Sequence, residues 1–171
     1  PYPSLTELDK SSLSKNSYKL FTLSSIRHAS RSLLQKGAKE QISDAERDLA
    51  AEYWQEVAKN MPDWRLAKER KITGWELRQE FIHTHGIVLH ALGNVGAYLL
   101  ATEPKSWKQK LKNLPNVDWH RSNTELWEGR AMIHGRISKA RSNILLTGNV
   151  IKRALGIDLT GEEQALENKI G

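Results

Sequence analysis

Cysteine is absent from all 171 residues. Without a thiolate the chain can form no structural disulfide, no Cys-ligated zinc site, no iron–sulfur cluster and no persulfide. Long apolar runs are missing too. The longest, residues 87–100, carries His90 and Asn94 and is too short to span a bilayer. No secretory apolar segment opens the chain. There is no internal repeat and no low-complexity tract. The chain opens on Pro1 rather than Met, as expected of a processed protein or a fragment.

What is present suffices for a core. Hydrophobic residues make up 39% of the chain and six are Trp, which fits one globular domain or a little more. The polar, poorly periodic residues 1–17 read as an arm or linker, and residues 18–171 as a single helical domain. Leu23, Ile26, Leu33 and Leu34 predict an amphipathic helix over 20–35, stopped by Gly37. Ser43-x-x-Glu46, Thr73-x-x-Glu76 and Thr160-x-x-Glu163 are capping boxes, each opening a helix. The first of these helices should end near Met61, before Pro62. Trp54 and Trp75 fall on apolar stripes and are expected in the core.

Residues 87–101 read as an almost wholly apolar helix after a bend at His85-Gly86, the buried centre of an all-α domain. Gly93 and Gly96 would let a neighbouring helix approach closely. Pro104 introduces an amphipathic helix over 105–114, ended by Pro115, and 116–124 is loop-like. Ala131, Ile133 and Ile137 alternate with polar residues between Gly129 and Gly135, which allows a short strand or hairpin near 130–140. Thr147 is expected to cap a helix that stops at Gly156. The fold class is therefore mainly α, compact, around a buried central helix.

Chemical signatures are sparse. His83, His85 and His90 are two and five residues apart, not the three or four that put two zinc ligands on one helix face. Hydrogen-bonded histidines at a helix bend are the expected outcome, with no metal site and no cofactor. Ser12-x-x-Lys15 matches a nucleophile pattern in letters only, without a partner motif. Glu76 and Glu80 share a helix face, but no acid–base pair stands out. Enzymatic activity of this chain alone is not expected.

Charge is the strongest signal. Residues 105–153 hold eleven Lys/Arg against three acids, a net +8 that exceeds the +6 of the whole chain. Such a stretch attracts polyanions, because each phosphate contact releases condensed counterions. Lys105, Lys108 and Lys112 share one face of the expected 105–114 helix. Arg130, Arg136, Lys139, Arg141, Lys152 and Arg153 form a second group. Gly129 and Gly135 there allow close backbone approach, and Ser138, Ser142 and Asn143 offer short donors to phosphate oxygens. The helix behind Thr147 presents a positive dipole end. These nine cations are the candidate nucleic-acid-binding residues, unless acids such as Glu125, Glu128, Glu162 and Glu163 pair with them. Trp107, Trp119 and Trp127 lie among the charges and could stack on bases. The acidic Glu162, Glu163 and Glu167 rule out the last helix as a major-groove reader.

Three segments carry a resemblance. They are His85-Gly-Ile-Val-Leu-His-Ala-Leu-Gly-Asn-Val-Gly96, Trp127-Glu-Gly-Arg-Ala-Met-Ile-His-Gly-Arg136 and Thr147-Gly-Asn-Val-Ile-Lys-Arg-Ala-Leu-Gly-Ile-Asp-Leu-Thr-Gly-Glu-Glu163. In this order, with the Trp54 and Trp64 region and Glu76-Leu-Arg78 before them, they resemble the C-terminal half of the DndB family. The likeness covers most of residues 18–168. It implies a bacterial cytoplasmic protein of the DNA phosphorothioate modification system that binds double-stranded DNA and regulates or tunes the modification. Other phosphorothioation proteins are implied partners, and a membrane is not. The family's N-terminal Asp-Gly-Gln-His-Arg motif is absent, so the chain resembles part of a longer protein. The lack of cysteine agrees with an accessory part rather than sulfur-transfer machinery. Two other roles fit the same residues: a scaffold docking an acidic partner or the missing half, and a non-catalytic part of an ATPase or nuclease.

Overall fold

The computed structural model describes residues 3–8 and 12–170. Residues 1, 2 and 9–11 of the expected arm lie outside them. Among the described residues the fold is mainly α, with nine helices and two two-stranded sheets. The central helix is α5 (Gly86–Thr102), buried on all sides but one stripe, where Asn94 and Tyr98 are exposed. It packs chiefly against α1 (Leu23–Leu33) on one side and α8 (Arg141–Ala154) on the other. Gly93 lies under the backbone of Ala29 in α1, and Gly96 under Tyr53 and Leu33. The close approach expected of these glycines is therefore real.

All three capping boxes form. They open α2 (Asp44–Lys59), α4 (Gly74–Glu80) and α9 (Gly161–Glu167). In each, the Ser or Thr hydroxyl accepts from the third amide while the Glu returns to the cap amide. The core is rich in ring systems. Tyr53 is fully buried and its hydroxyl donates to the Leu92 carbonyl at 2.6 Å. Trp54 donates to the Ser30 hydroxyl at 2.9 Å, so neither polar ring atom is left unpaired.

Several elements differ from expectation. Helix α1 starts at Leu23 because Phe21–Thr22 form strand β2, which pairs in parallel with β1 (Thr6–Glu7). Leu5, within the expected polar arm, is buried in the core. Pro62 both ends α2 and starts a further helix, α3 (Pro62–Lys68), since proline suits a first helical turn. The lysine helix is shorter than expected: α6 covers only Trp107–Leu111, followed by a 3-10 turn at Leu114–Asn116. Helix α7 (Thr124–Trp127) follows the loop. The expected hairpin exists as β3 (Met132–Ile133) and β4 (Arg136–Ile137).

Helix α8 begins at Arg141, not Thr147. Thr147 is fully buried inside it, and its hydroxyl donates to the Asn143 carbonyl at 2.7 Å. The anion site expected at a Thr147 cap is therefore replaced by a helix start at Ala140–Arg141. Trp75 also departs from its expected place. It is 36% exposed, with the Lys15 ammonium 5.6 Å from its ring centroid.

Candidate nucleic-acid interface

The β3–β4 hairpin and the start of α8 are hydrogen-bonded into one joint. The hairpin turns through His134 and Gly135, both with positive φ (51° and 71°). Two such residues make the turn whose twist matches paired strands. The Glu128 carboxylate accepts from the amides of His134 and Gly135, which holds the turn from behind. Arg121 clamps it from the side, donating to the Gly135 carbonyl at 3.2 Å and to the Arg78 carbonyl at 3.0 Å. Asn143, buried in the first turn of α8, donates to the carbonyls of Gly129 and Arg130 at 3.0 and 2.6 Å. Its own oxygen accepts from the Ser138 hydroxyl at 2.7 Å.

Three cations project from this joint. Arg136, Lys139 and Arg141 are exposed, and none takes part in an ion pair among the described residues. Ala140 caps α8 without a side-chain hydrogen bond, so the free amides and positive dipole end of the helix add to their field. The Ser138 hydroxyl faces inward to Asn143 rather than toward a partner.

Of the other six candidate cations, four are paired. Arg130 donates to Glu167 at 2.8 Å, and Arg153 reaches the same carboxylate at 3.1 Å. Lys152 has a side chain only 6% exposed and donates to both Glu163 oxygens at 2.7 and 2.8 Å. Its ammonium also lies 4.4 Å from the Tyr98 ring centroid. Glu163 and Glu167 of α9 thus face α8 and bind its cations. Burial opposes the Glu167 charge, but hydrogen bonds from Arg130 and Asn149 and the Arg130 and Arg153 charges hold its carboxyl below the usual range.

Lys105 and Lys112 are exposed and outside any ion pair of the described residues, whereas Lys108 pairs with Glu52 of α2. Lys110 donates to the Gly156 carbonyl at 3.3 Å, which sets α6 at the C-terminal end of α8. At 14 residues, α8 separates this end from the hairpin by about 20 Å. The two basic groups therefore occupy opposite ends of one helix. Trp107, Trp119 and Trp127 are all buried and serve the core rather than a stacking platform.

The three histidines have separate partners, and only His83 lies in the core. His83 is fully buried between Asp63 and Trp64. His90 packs against the His28 ring. His85 bonds through Nε2 to the Arg78 carbonyl at 3.1 Å, and so donates there. Burial chiefly, then the Arg121, Arg78 and His83 charges, push it down from 6.5 to about 4 against the hydrogen bond to Arg78. An unfolded His85 binds its proton more readily, so this group lowers stability as pH falls from 6.5 toward 4. The full loss is about 3 kcal/mol. We expect His85→Gln, which keeps a donor for Arg78, to flatten that acid limb in urea unfolding at stepped pH. An unchanged slope would refute it.

Sequence reasoning missed the residues that hold the joint and those that neutralise its neighbours. In the sequence Arg121 is one charge among eleven, and only the fold shows it as a clamp. Asn143 reads there as a phosphate donor but braces the joint instead. Glu167 lies 37 residues from Arg130 and carries no local signal of the contact.

The geometry defines a small helical protein with an uncompensated basic edge on a hairpin–helix joint. The DndB family model, described as DNA-sulfur modification-associated, matches residues 1–158, and the chain belongs to this family. Comparison with curated proteins and with solved structures gives no match. The family associates the protein with DNA sulfur modification. No helix of the described residues is long and apolar enough to cross a membrane.

Proposed function

We propose that the chain is a DNA-binding accessory or regulatory module of a phosphorothioate modification system. One observation carries the reading: Arg136, Lys139 and Arg141 are exposed and uncompensated on a braced joint beside the open start of α8. Each can meet a phosphate without first giving up an internal carboxylate, and a rigid support lowers the ordering cost of doing so. Lys105 and Lys112, with Lys108 once it releases Glu52, form a second contact region about 20 Å away along α8. A duplex lying along that helix would span both, since its strands carry one charge per roughly 1.7 Å of axis. Arg130, Lys152 and Arg153 support the surface from behind, and Arg153 is the most accessible of the three.

Phosphate contacts position a protein without reading sequence. Binding through these residues is therefore expected to be strongly salt-dependent and weakly selective. The test is fluorescence anisotropy with a labelled duplex at several salt concentrations. Joint substitution Arg136→Gln, Lys139→Gln and Arg141→Gln should weaken binding roughly tenfold or more and reduce the salt slope by about 2 to 3. A folded triple variant with wild-type affinity and slope would refute the assignment. A duplex carrying a phosphorothioate, run in parallel, tests whether the module also senses the modification.

A further inference from the structure

On the opposite chemistry to the basic edge, the start of α3, residue Phe81 after α4 and the loop 115–120 enclose a cavity of 540 Å³. The chain carries net +6, yet no Lys or Arg lines this cavity, while Asp63 and Asp118 do. We infer that the cavity receives a guanidinium group, presented by an arginine side chain of a protein partner.

The hydrogen bonds decide which atoms face a ligand. The Trp64 indole N–H donates to His83 Nδ1 at 3.2 Å. An indole can only donate, so Nδ1 accepts and the ring proton sits on Nε2. That N–H donates to Asp63 Oδ2 at 2.8 Å. Asp63 is thus fixed in place with one oxygen engaged, and a carboxylate has about four acceptor positions. On the other wall the His120 ring and amide donate to Asp118 Oδ1 at 2.8 and 3.1 Å and Asn123 donates to Oδ2 at 2.9 Å, which fixes this carboxylate with fewer acceptor positions to spare than Asp63. The Asn60 and Asn116 amide groups donate to the Glu56 carbonyl at 2.8 Å and to Asn113 Oδ1 at 3.3 Å, which leaves their side-chain oxygens as acceptors. The lining therefore offers carboxylate and amide oxygens as acceptors and no Lys or Arg as a competing cation.

The apolar part of the wall is aromatic. Phe81 stacks on His83 with ring centroids 5.0 Å apart and planes 7° from parallel, and lies 4.7 Å from the His120 ring. A guanidinium matches this combination better than an ammonium does. It is planar, carries five N–H donors, sheds water more readily and lies on aromatic faces. Asp63 and Asp118 supply the charge complement. The inference is independent of the DNA-binding reading, because it uses a different surface and the opposite charge.

The test uses the whole chain and three probes followed by NMR: N-acetyl-arginine amide, its uncharged isostere N-acetyl-citrulline amide, and free arginine. The arginine amide is expected to shift the His120 ring and Trp119 indole resonances saturably, and the citrulline amide not to. Asp63→Asn should weaken arginine-amide binding about tenfold. Asn116→Lys places a competing cation on the rim without touching the buried His83 pair, and should abolish binding in a folded protein. Equal shifts from arginine and citrulline amides, no saturable shift, or wild-type binding by Asn116→Lys would overturn the site. Tighter binding of free arginine than of the blocked amide would overturn the protein-partner assignment, because a residue within a chain has no free carboxylate.

Discussion

Gly93→Ala is expected to lower the stability of the fold by about 3 kcal/mol or more, the high end of overpacking costs. An added Cβ at this position would lie 2.4 Å from the Ala29 carbonyl oxygen and 3.2 Å from its carbon. Both are backbone atoms of α1, so no rotamer change relieves the clash and α1 must move away from α5. That separation would loosen the largest helix pairing in the molecule. Gly96→Ala meets side chains instead, at 2.4 Å from Tyr53 Cζ and 2.5 Å from Leu33 Cδ1. Leu33 can rotate, but Tyr53 is held by its hydrogen bond to Leu92, so a loss of similar sign and smaller size is expected. Gly148 in α8 supplies the control. Its added Cβ would only touch Val95 at an ordinary 3.7 Å, and alanine gains up to about 1 kcal/mol of helix propensity. Urea midpoints should therefore fall for Gly93→Ala, fall less for Gly96→Ala, and hold or rise for Gly148→Ala. A wild-type midpoint for Gly93→Ala would mean that α1 and α5 do not pack through this contact.

The sequence foretold those features whose cause is local. A capping box needs only four residues, and Ser43, Thr73 and Thr160 all cap as their spacing implies. An apolar run with small residues foretold α5 and its close neighbours. Features with distant or ambiguous causes were harder. Pro62 reads as a stop from one side and a start from the other, and α3 escaped notice for that reason. The start of α8 has no side-chain cap, so the nearby Thr147 drew the boundary seven positions in. The basic segment was legible as a count, but not as a surface. Glu167 neutralises Arg130 across 37 residues of chain, and no periodicity records that. The candidate edge therefore emerged only when internal pairs had claimed Arg130, Lys152 and Arg153, leaving Arg136, Lys139 and Arg141. The arginine-accepting cavity was less legible still. It joins Asp63, Phe81 and His120, which share no motif.

Glu167→Ala is expected to cost about 3 kcal/mol, a large fraction of the stability of an ordinary domain. The Glu167 side chain is 4% exposed and accepts from Arg130 at 2.8 Å, Arg153 at 3.1 Å and Asn149 at 3.1 Å. Removing it leaves Arg130, mostly buried, without its counter-charge, and the Asn149 amide without one of its acceptors. Breaking one side of such a network costs more than the pair contributed, since the remaining charge stays desolvated. Arg153 is 48% exposed and recovers water, which keeps the loss at the low end of the range. The pH dependence follows from the carboxyl being held below its usual 4.5. Its contribution is present above that value and is lost as pH falls through the lower folded-state value. The gap between wild type and Glu167→Ala should therefore be widest near neutral pH and close in acid below 4.5. Urea unfolding at stepped pH measures both, and a gap that persists at low pH would place the loss in packing rather than charge. Two single substitutions separate the paired cations from the unpaired ones. Arg153→Gln should share the stability loss in smaller measure and leave the salt slope of DNA binding nearly unchanged. Arg141→Gln should leave the unfolding midpoint alone and lower that slope by about 0.9. If the two arginines exchanged these behaviours, the phosphate-contacting surface would lie at the α9 side of α8 rather than at the hairpin.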